Sequence, residues 1–317
     1  MNDPTSSSST AAFDILGFGE PLFEFNRPPG QTLWQEGIGG DVSNALVAAQ
    51  RCGARCAMFT ALGSDVFGRA IMALWAREGI DTARVRWRDD APTGIYFITH
   101  GENGHEFTYR RTGSAASLVT TGDLPAAKIS EARVLHVSGI SQAISANALD
   151  AALAAMAAAR AAGRLVSYDP NLRLKLWPLA AAKDALRLSL ALCDIALPGL
   201  DDMRTLTGLH APQDIADHCL DQGAGVVALT LGRDGALVAT QDRAEIIPAF
   251  KVAAVDATGA GDTFDGAFLA EYLRNNDAFR AGAFANAAAA LSTTGYGAVA
   301  PMPDWASVNA FLGEAAN

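Results

Sequence analysis

Short apolar runs alternate with helix-like stretches along most of this 317-residue chain. Residues 13–17 form an apolar run of strand length, and residues 41–50 after them have helical spacing. This order recurs along the chain, which predicts a mainly parallel β-sheet covered by helices on both faces. Ligands of such sheets bind beyond the carboxyl ends of the strands, so we expect a functional site there. The further predicted elements are strands at 56–62, 133–138, 165–168, 195–197 and 226–231 and helices at 65–78, 145–162 and 181–190.

Two stretches, residues 21–38 and 84–111, interrupt this alternation. The second contains two runs of alternating pattern, at 94–99 and 106–110, and the sequence HGENG at 100–104 between them is typical of a hairpin turn. We expect antiparallel strands outside the main sheet, which form a small β-sheet lid over its carboxyl edge. The predicted division of the chain is a flexible tail at 1–12, an α/β core at 13–20, 39–83 and 112–317, and the lid at 21–38 and 84–111.

Composition excludes several classes of function. The chain has 24 basic and 34 acidic side chains, a net charge of −10, and no long basic run, which argues against nucleic acid as its partner. It lacks a run of about 20 strongly apolar residues, so no membrane span is predicted. Residues 1–10 are polar and do not resemble a signal peptide, and the four cysteines show no paired spacing. These features together predict a cytoplasmic protein.

The most specific motif is VDATGAGDTF at residues 255–264. Gly259 and Gly261 allow a tight turn, and the apolar run that follows predicts a helix, so Ala260 and Asp262 lie at a helix N-terminus that attracts anions. Asp262 is either a helix cap or a general base that takes a proton from an attacking hydroxyl. Phosphoryl transfer needs both parts of this motif, the N–H donors and the base. No Walker A, Rossmann or protein-kinase motif occurs in the sequence.

A second cluster consists of Gly39, Gly40, Asp41 and Asn44. The two glycines allow close approach of the backbone to a ligand, and Asp41 and Asn44 share one face of the first helical turn. A carboxylate and an amide on one face suit a polyhydroxylated substrate. The alternative is a glycine turn in which Asp41 caps the helix and Asn44 has no function.

These two motifs together resemble the two signatures of the ribokinase-like, PfkB-type carbohydrate kinases, and the sequence GSDxxG at 63–68 agrees with that family. The resemblance covers residues 13–312. It implies a three-layer α/β fold with a β lid, binding of ATP and Mg²⁺, and phosphorylation of a sugar hydroxyl. It also implies association into a homodimer or higher oligomer through the lid.

The resemblance assigns roles to individual residues. Asp262 is implied as the catalytic base, and Gly259, Ala260 and Gly261 as the anion hole. Many members carry an Asn-x-x-Glu stretch that helps to position Mg²⁺, and here Gly199 and Asp202 stand at the two named positions. The implied nucleotide-binding and cation-binding residues are Thr230, Gly232, Gly235 and Asn286 for ATP and Asp256 for the K⁺ that some members bind.

Four residues bear on the substrate. Tyr96, Tyr109 and Arg110 lie on the predicted lid strands, and Arg173 follows the strand at 165–168. Guanidinium groups bind carboxylates through two parallel hydrogen bonds, which favours a sugar acid. Within the family the resemblance is to 2-keto-3-deoxygluconate kinases, which implies transfer to the terminal hydroxyl of that sugar acid.

Three alternatives remain at this point. The first concerns the arginines: Arg110 is a solvated charge at the edge of the lid, or Arg173 binds the ATP phosphates instead of the substrate. The second is that the same reaction takes place on a neutral sugar such as fructose. A protein that binds sugar without catalysis is a third reading, which the intact GAGD sequence at 259–262 disfavours.

Overall fold

The computed structural model describes residues 11–101 and 104–315. Most of the predicted tail, residues 1–10, and the centre of the predicted turn at 100–104 lie outside the described residues. The strands are β1 (Phe13–Phe18), β2 (Leu22–Arg27), β3 (Gln35–Gly39), β4 (Cys56–Gly63), β5 (Asp81–Arg88), β6 (Ile95–Gly101), β7 (Gly104–Arg110), β8 (Ala132–Ser138), β9 (Leu165–Asp169), β10 (Ile195–Ala196), β11 (Val226–Thr230), β12 (Ala236–Thr240) and β13 (Ala244–Ile247). The helices are α1 (Asp41–Arg51), α2 (Val66–Glu78), α3 (Ala126–Ile129), α4 (Gly139–Ala143), α5 (Ala146–Ala161), α6 (Leu179–Leu190), α7 (Leu200–Thr207), α8 (Pro212–Gln222), α9 (Ala260–Asn275), α10 (Ala278–Ser292) and α11 (Trp305–Ala315).

Nine strands form the central sheet in the order β13-β12-β11-β10-β9-β8-β1-β4-β5. Its strands run parallel from β5 to β11, and β12 and β13 continue the sheet as an antiparallel edge. Because β1 lies between β8 and β4, the chain reverses its direction of winding beside β1. Such a point leaves a crevice at the carboxyl edge where ligands bind.

Helices cover both faces of the central sheet. One hydrophobic layer includes Phe264 and Phe268 of α9 and Phe284 of α10, and the other includes Met156 of α5 and Leu186 of α6. Each helix buries one apolar side against the sheet, since the strands between them are apolar on both faces. The predicted three-layer, ribokinase-like arrangement is confirmed.

A separate four-stranded sheet has the order β3-β2-β6-β7 and forms the lid. The expectation of purely antiparallel strands is wrong, because β2 pairs with β6 in parallel while the pairs β2–β3 and β6–β7 are antiparallel. Both hairpins leave the core from the same edge, so their first strands run in the same direction.

The boundary expected between core and lid is also wrong at one strand. β5, which includes residues 84–88 of the predicted lid, pairs with β4 at the edge of the central sheet. Its side chains are half-buried or exposed without strict alternation, because an edge strand has one open side. The sequence RVRWR at 84–88 alternates arginines with apolar residues as a lid strand does, so the sequence alone does not distinguish the two.

Asp65 fixes the chain where it enters the second lid hairpin. Its side chain caps α2 by accepting the N–H of Gly68 at 2.8 Å, and it also accepts the N–H of Thr93 at 2.8 Å. Thr93 Oγ1 in turn accepts the N–H of Gly63 at 3.0 Å. The GSDxxG sequence therefore ties the end of β4 to the start of the lid.

Across residues 11–101 and 104–315, none of the helices has the length and apolar character that a membrane crossing requires.

Candidate active site

A cavity of about 850 Å³ lies between the carboxyl edge of the central sheet and the lid. The lid contributes Leu22, Tyr96 and Tyr109 to its wall, and the sheet contributes Asp169 at the end of β9. The N-terminus of α9 forms the opposite wall through Gly259, Gly261 and Asp262. The cavity therefore lies where the parallel sheet predicts a ligand site.

Asp262 lies in the first turn of α9. Gly259, which has a φ of 75°, is the N-cap residue before the helix, and in the described part of the chain no side chain caps this N-terminus. Asp262 instead accepts a hydrogen bond of 2.8 Å from the side-chain amide of Asn44 on α1. The carboxylate therefore faces the cavity with a fixed orientation, and the alternative in which Asp262 is the helix cap is wrong.

The surroundings of Asp262 favour its neutral form. Burial and, to a lesser extent, the negative charge of Asp41 raise the pKa of Asp262 to about 7, although the hydrogen bond from Asn44 and the charge of Arg173 act in the opposite direction. A carboxylate with a pKa near the working pH is suited to accept a proton from a hydroxyl.

Two further carboxyl groups line the cavity beneath Asp262. Burial raises the pKa of Asp169 and of Asp265 well above the usual range, the charges of Asp41 and Asp262 raise both further, and the two side chains share a hydrogen bond. Burial and the neighbouring negative charges therefore favour the protonated form of this pair. Sequence reasoning missed Asp265, although its spacing of three residues from Asp262 places both on one side of α9.

The cluster at the start of α1 is organised by its glycines. Gly40, with a φ of 107°, is the N-cap of α1, so the alternative in which Asp41 caps the helix is wrong. A Cβ on Gly39 would lie 2.4 Å from the hydroxyl of Tyr96, which explains why this position has no side chain. Asp41 accepts a 2.9 Å hydrogen bond from the amide of Asn171, and both line the cavity.

The two lid tyrosines form an aromatic wall. The rings of Tyr96 and Tyr109 stack with their centroids 5.7 Å apart. The hydroxyl of Tyr96 hydrogen-bonds to the buried carboxyl of Glu24, whose pKa burial raises. This contact fixes the ring of Tyr96 over the cavity.

The expectation for Arg110 is wrong. Its side chain is exposed, donates to the carbonyl of Tyr109 at 3.1 Å and does not line the cavity. Arg111 lines the cavity instead, and its side chain is only 9% exposed. Successive residues of a strand point to opposite faces, so Tyr109 and Arg111 share the inner face and Arg110 lies on the outer one. The two-residue period from Tyr109 is the signal that could have identified Arg111.

Arg173 and Asp202 meet at the mouth of the cavity. Both line it, Arg173 donates to the carbonyl of Leu172 at 2.8 Å, and Asp202 on α7 accepts the N–H of Leu172 at 2.9 Å. Burial raises the pKa of Asp202, and Arg173 lowers it. The substituted position in the Asn-x-x-Glu stretch therefore carries a carboxylate that reaches the cavity.

The implied nucleotide-binding residues divide into two groups. Thr230 lines the cavity, whereas Gly232, Gly235 and Asn286 lie outside its wall. The amide of Asn286 donates to the carbonyl of Ile247 at 2.9 Å, close to Gly235, where a Cβ would lie 2.1 Å from that same carbonyl oxygen.

Asp256 shapes the loop before α9. Its carboxylate accepts hydrogen bonds from the N–H of Thr258 at 2.9 Å, from the hydroxyl of Thr258 at 2.7 Å and from the N–H of Gly297 at 3.0 Å. These contacts join the loop before α9 to the loop after α10.

A parallel sheet with a lid, an uncapped helix N-terminus and a buried carboxyl group with a raised pKa are the features expected of an enzyme that transfers a phosphoryl group to a small hydroxylated substrate. The sequence profile of the pfkB family carbohydrate kinases matches residues 22–305, so the chain belongs to that family and is a sugar kinase that uses ATP.

Individual relatives agree on the family and differ in substrate. The 2-dehydro-3-deoxygluconokinase of Thermoproteus tenax is 34% identical over 291 residues, 89% of this chain and 88% of its own length. Fructokinase-1 of Zea mays is 33% identical over 310 residues, 93% of this chain and 96% of its own length. A crystal structure of a putative ribokinase II from E. coli in complex with ATP and Mg²⁺ has a TM-score of 0.88 at 25% identity, and the match covers 95% of this chain and 99% of that one.

The site fits a nucleotide with its metal ion. A Cβ added to Gly261 would have no atom within 4 Å, so the space beside this residue is open. Phosphate oxygens can therefore approach the N–H groups of the α9 N-terminus. Mg²⁺ bound to a nucleotide needs one or two protein carboxylates, since phosphates and water supply its other ligands. Asp202 provides such a carboxylate at the cavity wall.

Proposed function

We propose that the protein transfers the γ-phosphoryl group of ATP to the terminal hydroxyl of 2-keto-3-deoxygluconate, the compound also named 2-dehydro-3-deoxygluconate. The observation that carries this proposal is Arg111, a guanidinium group that lines the cavity although its side chain is 9% exposed. Its Nε is buried and has no hydrogen-bond partner among the described residues. A substrate carboxylate would accept a charge-assisted hydrogen bond from that group beside the ion pair with Glu20, whereas a neutral ketose offers only the weaker acceptors of its hydroxyl and carbonyl oxygens.

Arg173 supports the same substrate. It lies in the cavity wall with Lys175, and these two positive charges add to that of Arg111 in a site that also contains Asp41, Asp169 and Asp262. Without these cations a sugar acid would be repelled by the carboxylates. The name of the relative from Thermoproteus tenax points to the same sugar acid, and the name of the relative from Zea mays points to fructose.

In the proposed mechanism Asp262 accepts the proton of the attacking hydroxyl. The amide of Asn44 orients the carboxylate through its 2.8 Å hydrogen bond, and Asn44 Oδ1, which has no partner in the described part of the chain, can accept a sugar hydroxyl. The N–H groups around Gly261 stabilise the charge on the transferred group. Bound Mg²⁺, held by Asp202, would offset the charge of the phosphates. The lid excludes water, which would otherwise compete for the phosphoryl group.

Two further properties follow from the family resemblance and are part of the proposal. We propose that K⁺ binds beside the loop that Asp256 organises, so that replacing K⁺ by choline in the buffer lowers kcat.

We also propose that the aromatic outer part of the lid, with Trp34 38% exposed and Leu33 77% exposed, packs against its copy in a dimer. A single monomeric species in sedimentation analysis at micromolar concentration would exclude the dimer.

The substrate assignment is tested by comparing Arg111→Lys with Arg110→Lys. Lysine at position 111 keeps the positive charge beside Glu20 but loses the planar fork that binds a carboxylate. We expect kcat/KM for 2-keto-3-deoxygluconate to fall about tenfold or more, and kcat/KM for fructose to change less than threefold. Arg110→Lys is the matched control, since the neighbouring side chain is exposed and should affect neither substrate.

Arg173→Leu completes the test at saturating ATP. If Arg173 contacts the sugar acid, its loss lowers kcat/KM for the acid about 10–100-fold and leaves fructose nearly unaffected. Equal losses on both sugars for the Arg111 and Arg173 variants would contradict the sugar-acid assignment and favour a fructokinase.

A further inference from the structure

Two of the chain crossings between core and lid meet at one buried ion pair. Glu20 lies on the crossing from β1 to β2, and Arg111 directly follows β7 on the return to the core. Their side chains pair, with Glu20 0% exposed and Arg111 9% exposed. The hydroxyl of Ser114, three residues after Arg111, donates to Glu20 Oε1 at 2.6 Å.

A third crossing reaches the same carboxylate. Gly94 precedes β6, and a Cβ on this residue would lie 3.0 Å from Glu20 Oε1. The backbone of Gly94 therefore packs closely against the Glu20 carboxylate, and a side chain at position 94 would crowd it. The carboxylate is therefore enclosed by the start and the end of the second lid hairpin.

We propose that Glu20 is a positioning residue that determines specificity for an acidic substrate, because it holds the Arg111 guanidinium group in the orientation that a substrate carboxylate requires. This inference rests on the proposed function. Glu20 also lies in the cavity wall, but its side chain has no exposed surface, so in this scheme it acts through Arg111 and not by contact with the substrate.

The donor geometry of arginine supports this role. A guanidinium group has five N–H donors in one rigid plane, so pairing one edge with a fixed carboxylate also fixes the direction of the remaining donors. Arg111 pairs with Glu20 through Nη2, and its guanidinium carbon lies 5.5 Å from the ring centroid of Tyr109. Both the pairing and the aromatic contact restrict the group to the inner face of the lid. An arginine without such partners would have to be immobilised by the substrate itself, which weakens binding.

Burial makes the pairing obligatory in the folded state. A carboxylate with no exposed surface is retained only when its oxygens are paired, and Arg111 and Ser114 supply the partners here. Without the negative charge of Glu20, the ion pair no longer holds the Arg111 guanidinium group in this plane. The acid-binding donors are then free to reorient while the rest of the cavity is unchanged.

The experiment uses Glu20→Gln, which keeps the size of the side chain and its acceptor for Ser114 but removes the charge. With ATP saturating, we expect the KM for 2-keto-3-deoxygluconate to rise about tenfold, with kcat within about twofold of wild type and the KM for fructose unchanged within twofold. The matched control is Glu271→Gln, since Glu271 is also buried, at 2% exposed, and pairs with Arg280 at 2.8 Å but does not line the cavity. It should leave both KM values unchanged.

A double variant tests whether Glu20 acts through Arg111. In an Arg111→Lys background, the further change Glu20→Gln should raise the KM for the sugar acid less than twofold, because the guanidinium group that Glu20 positions is already absent. An additive tenfold rise would overturn the proposal. A lower KM for the sugar acid in Glu20→Gln would also overturn it, since Glu20 would then compete with the substrate for Arg111.

Ser114→Ala gives a readout if Glu20→Gln fails to fold. This variant removes one hydrogen bond to Glu20 and leaves the ion pair in place, so the KM for the sugar acid should rise about threefold with kcat unchanged. An unchanged KM would contradict the positioning role. If the wild-type protein does not phosphorylate the sugar acid, the proposed function fails; if it does and the Glu20 and Ser114 variants match it, only the present inference fails.

Discussion

Replacing Asp262 by Asn should stabilise the protein at alkaline pH while it removes most of the activity. In the folded state, chiefly because of burial, the pKa of Asp262 is raised to about 7 from its usual value of 3.8. Between these two values the folded state binds more protons than the unfolded state, so the ionisation of Asp262 makes the free energy of unfolding decrease as the pH rises. Asparagine carries no charge and escapes this penalty.

The size of the effect follows from the pKa. Between pH 5 and pH 7 the unfolded carboxylate is ionised and the folded one is mainly protonated, and each pH unit in this window changes stability by about 1.4 kcal/mol. The stability gap between Asp262→Asn and wild type should therefore widen by up to ~3 kcal/mol from pH 5 to pH 8. In the same variant kcat should fall by about 10²–10⁴, because asparagine cannot accept the proton.

Urea denaturation at pH 5 and pH 8 measures the first quantity, and a coupled assay of ADP release measures the second. Asp214→Asn is the control, since Asp214 is exposed on α8 and does not line the cavity. It should show no widening of the gap and no loss of kcat. A constant gap for Asp262→Asn, or more than a tenth of the wild-type kcat, would refute the assignment of Asp262 as a buried general base.

Three other predictions concern the same site. Asp41→Asn removes a charge that raises the pKa of Asp262, so the acid limb of the profile of kcat/KM against pH should move to lower pH; an unchanged limb would show that Asp41 does not act on the base. Gly261→Val places a side chain in the open space before α9, so the KM for ATP should rise about tenfold while the melting temperature changes by less than about 3 °C. Hydrogen exchange in β6 should slow when sugar and nucleotide bind, and equal protection with and without ligands would indicate a fixed lid.

Much of the core was predictable because its strands are buried on both faces. The predicted strand at 13–17 and the predicted helix N-terminus at Gly259 agree with β1 and α9 to within one residue. A continuous apolar run and a glycine turn before a helix depend on local physics, which a single sequence contains.

The lid was less predictable because its register depends on distant contacts. Tyr109 and Arg110 are adjacent, and only the pairing of Tyr109 with Tyr96 determines which of the two faces the cavity. A register shift of one residue exchanges the inner and outer faces, so Arg110 was selected in place of Arg111. The assignment of β5 failed for a related reason, since the sequence of this edge strand of the core alternates as that of a lid strand does.

The parallel pairing of β2 with β6 has a consequence for the order of folding. It joins Phe23 to Ile95, about 70 residues apart in the chain, and α1, β4, α2 and β5 lie between them. Closing so long a loop is entropically unfavourable until the intervening elements have collapsed onto the sheet. During synthesis the β2–β3 hairpin leaves the ribosome early, and its other edge must wait for β6. Pairing of β2 with β6 therefore follows collapse of the elements between them, and recovery of sugar binding should lag behind recovery of helical signal in a refolding experiment.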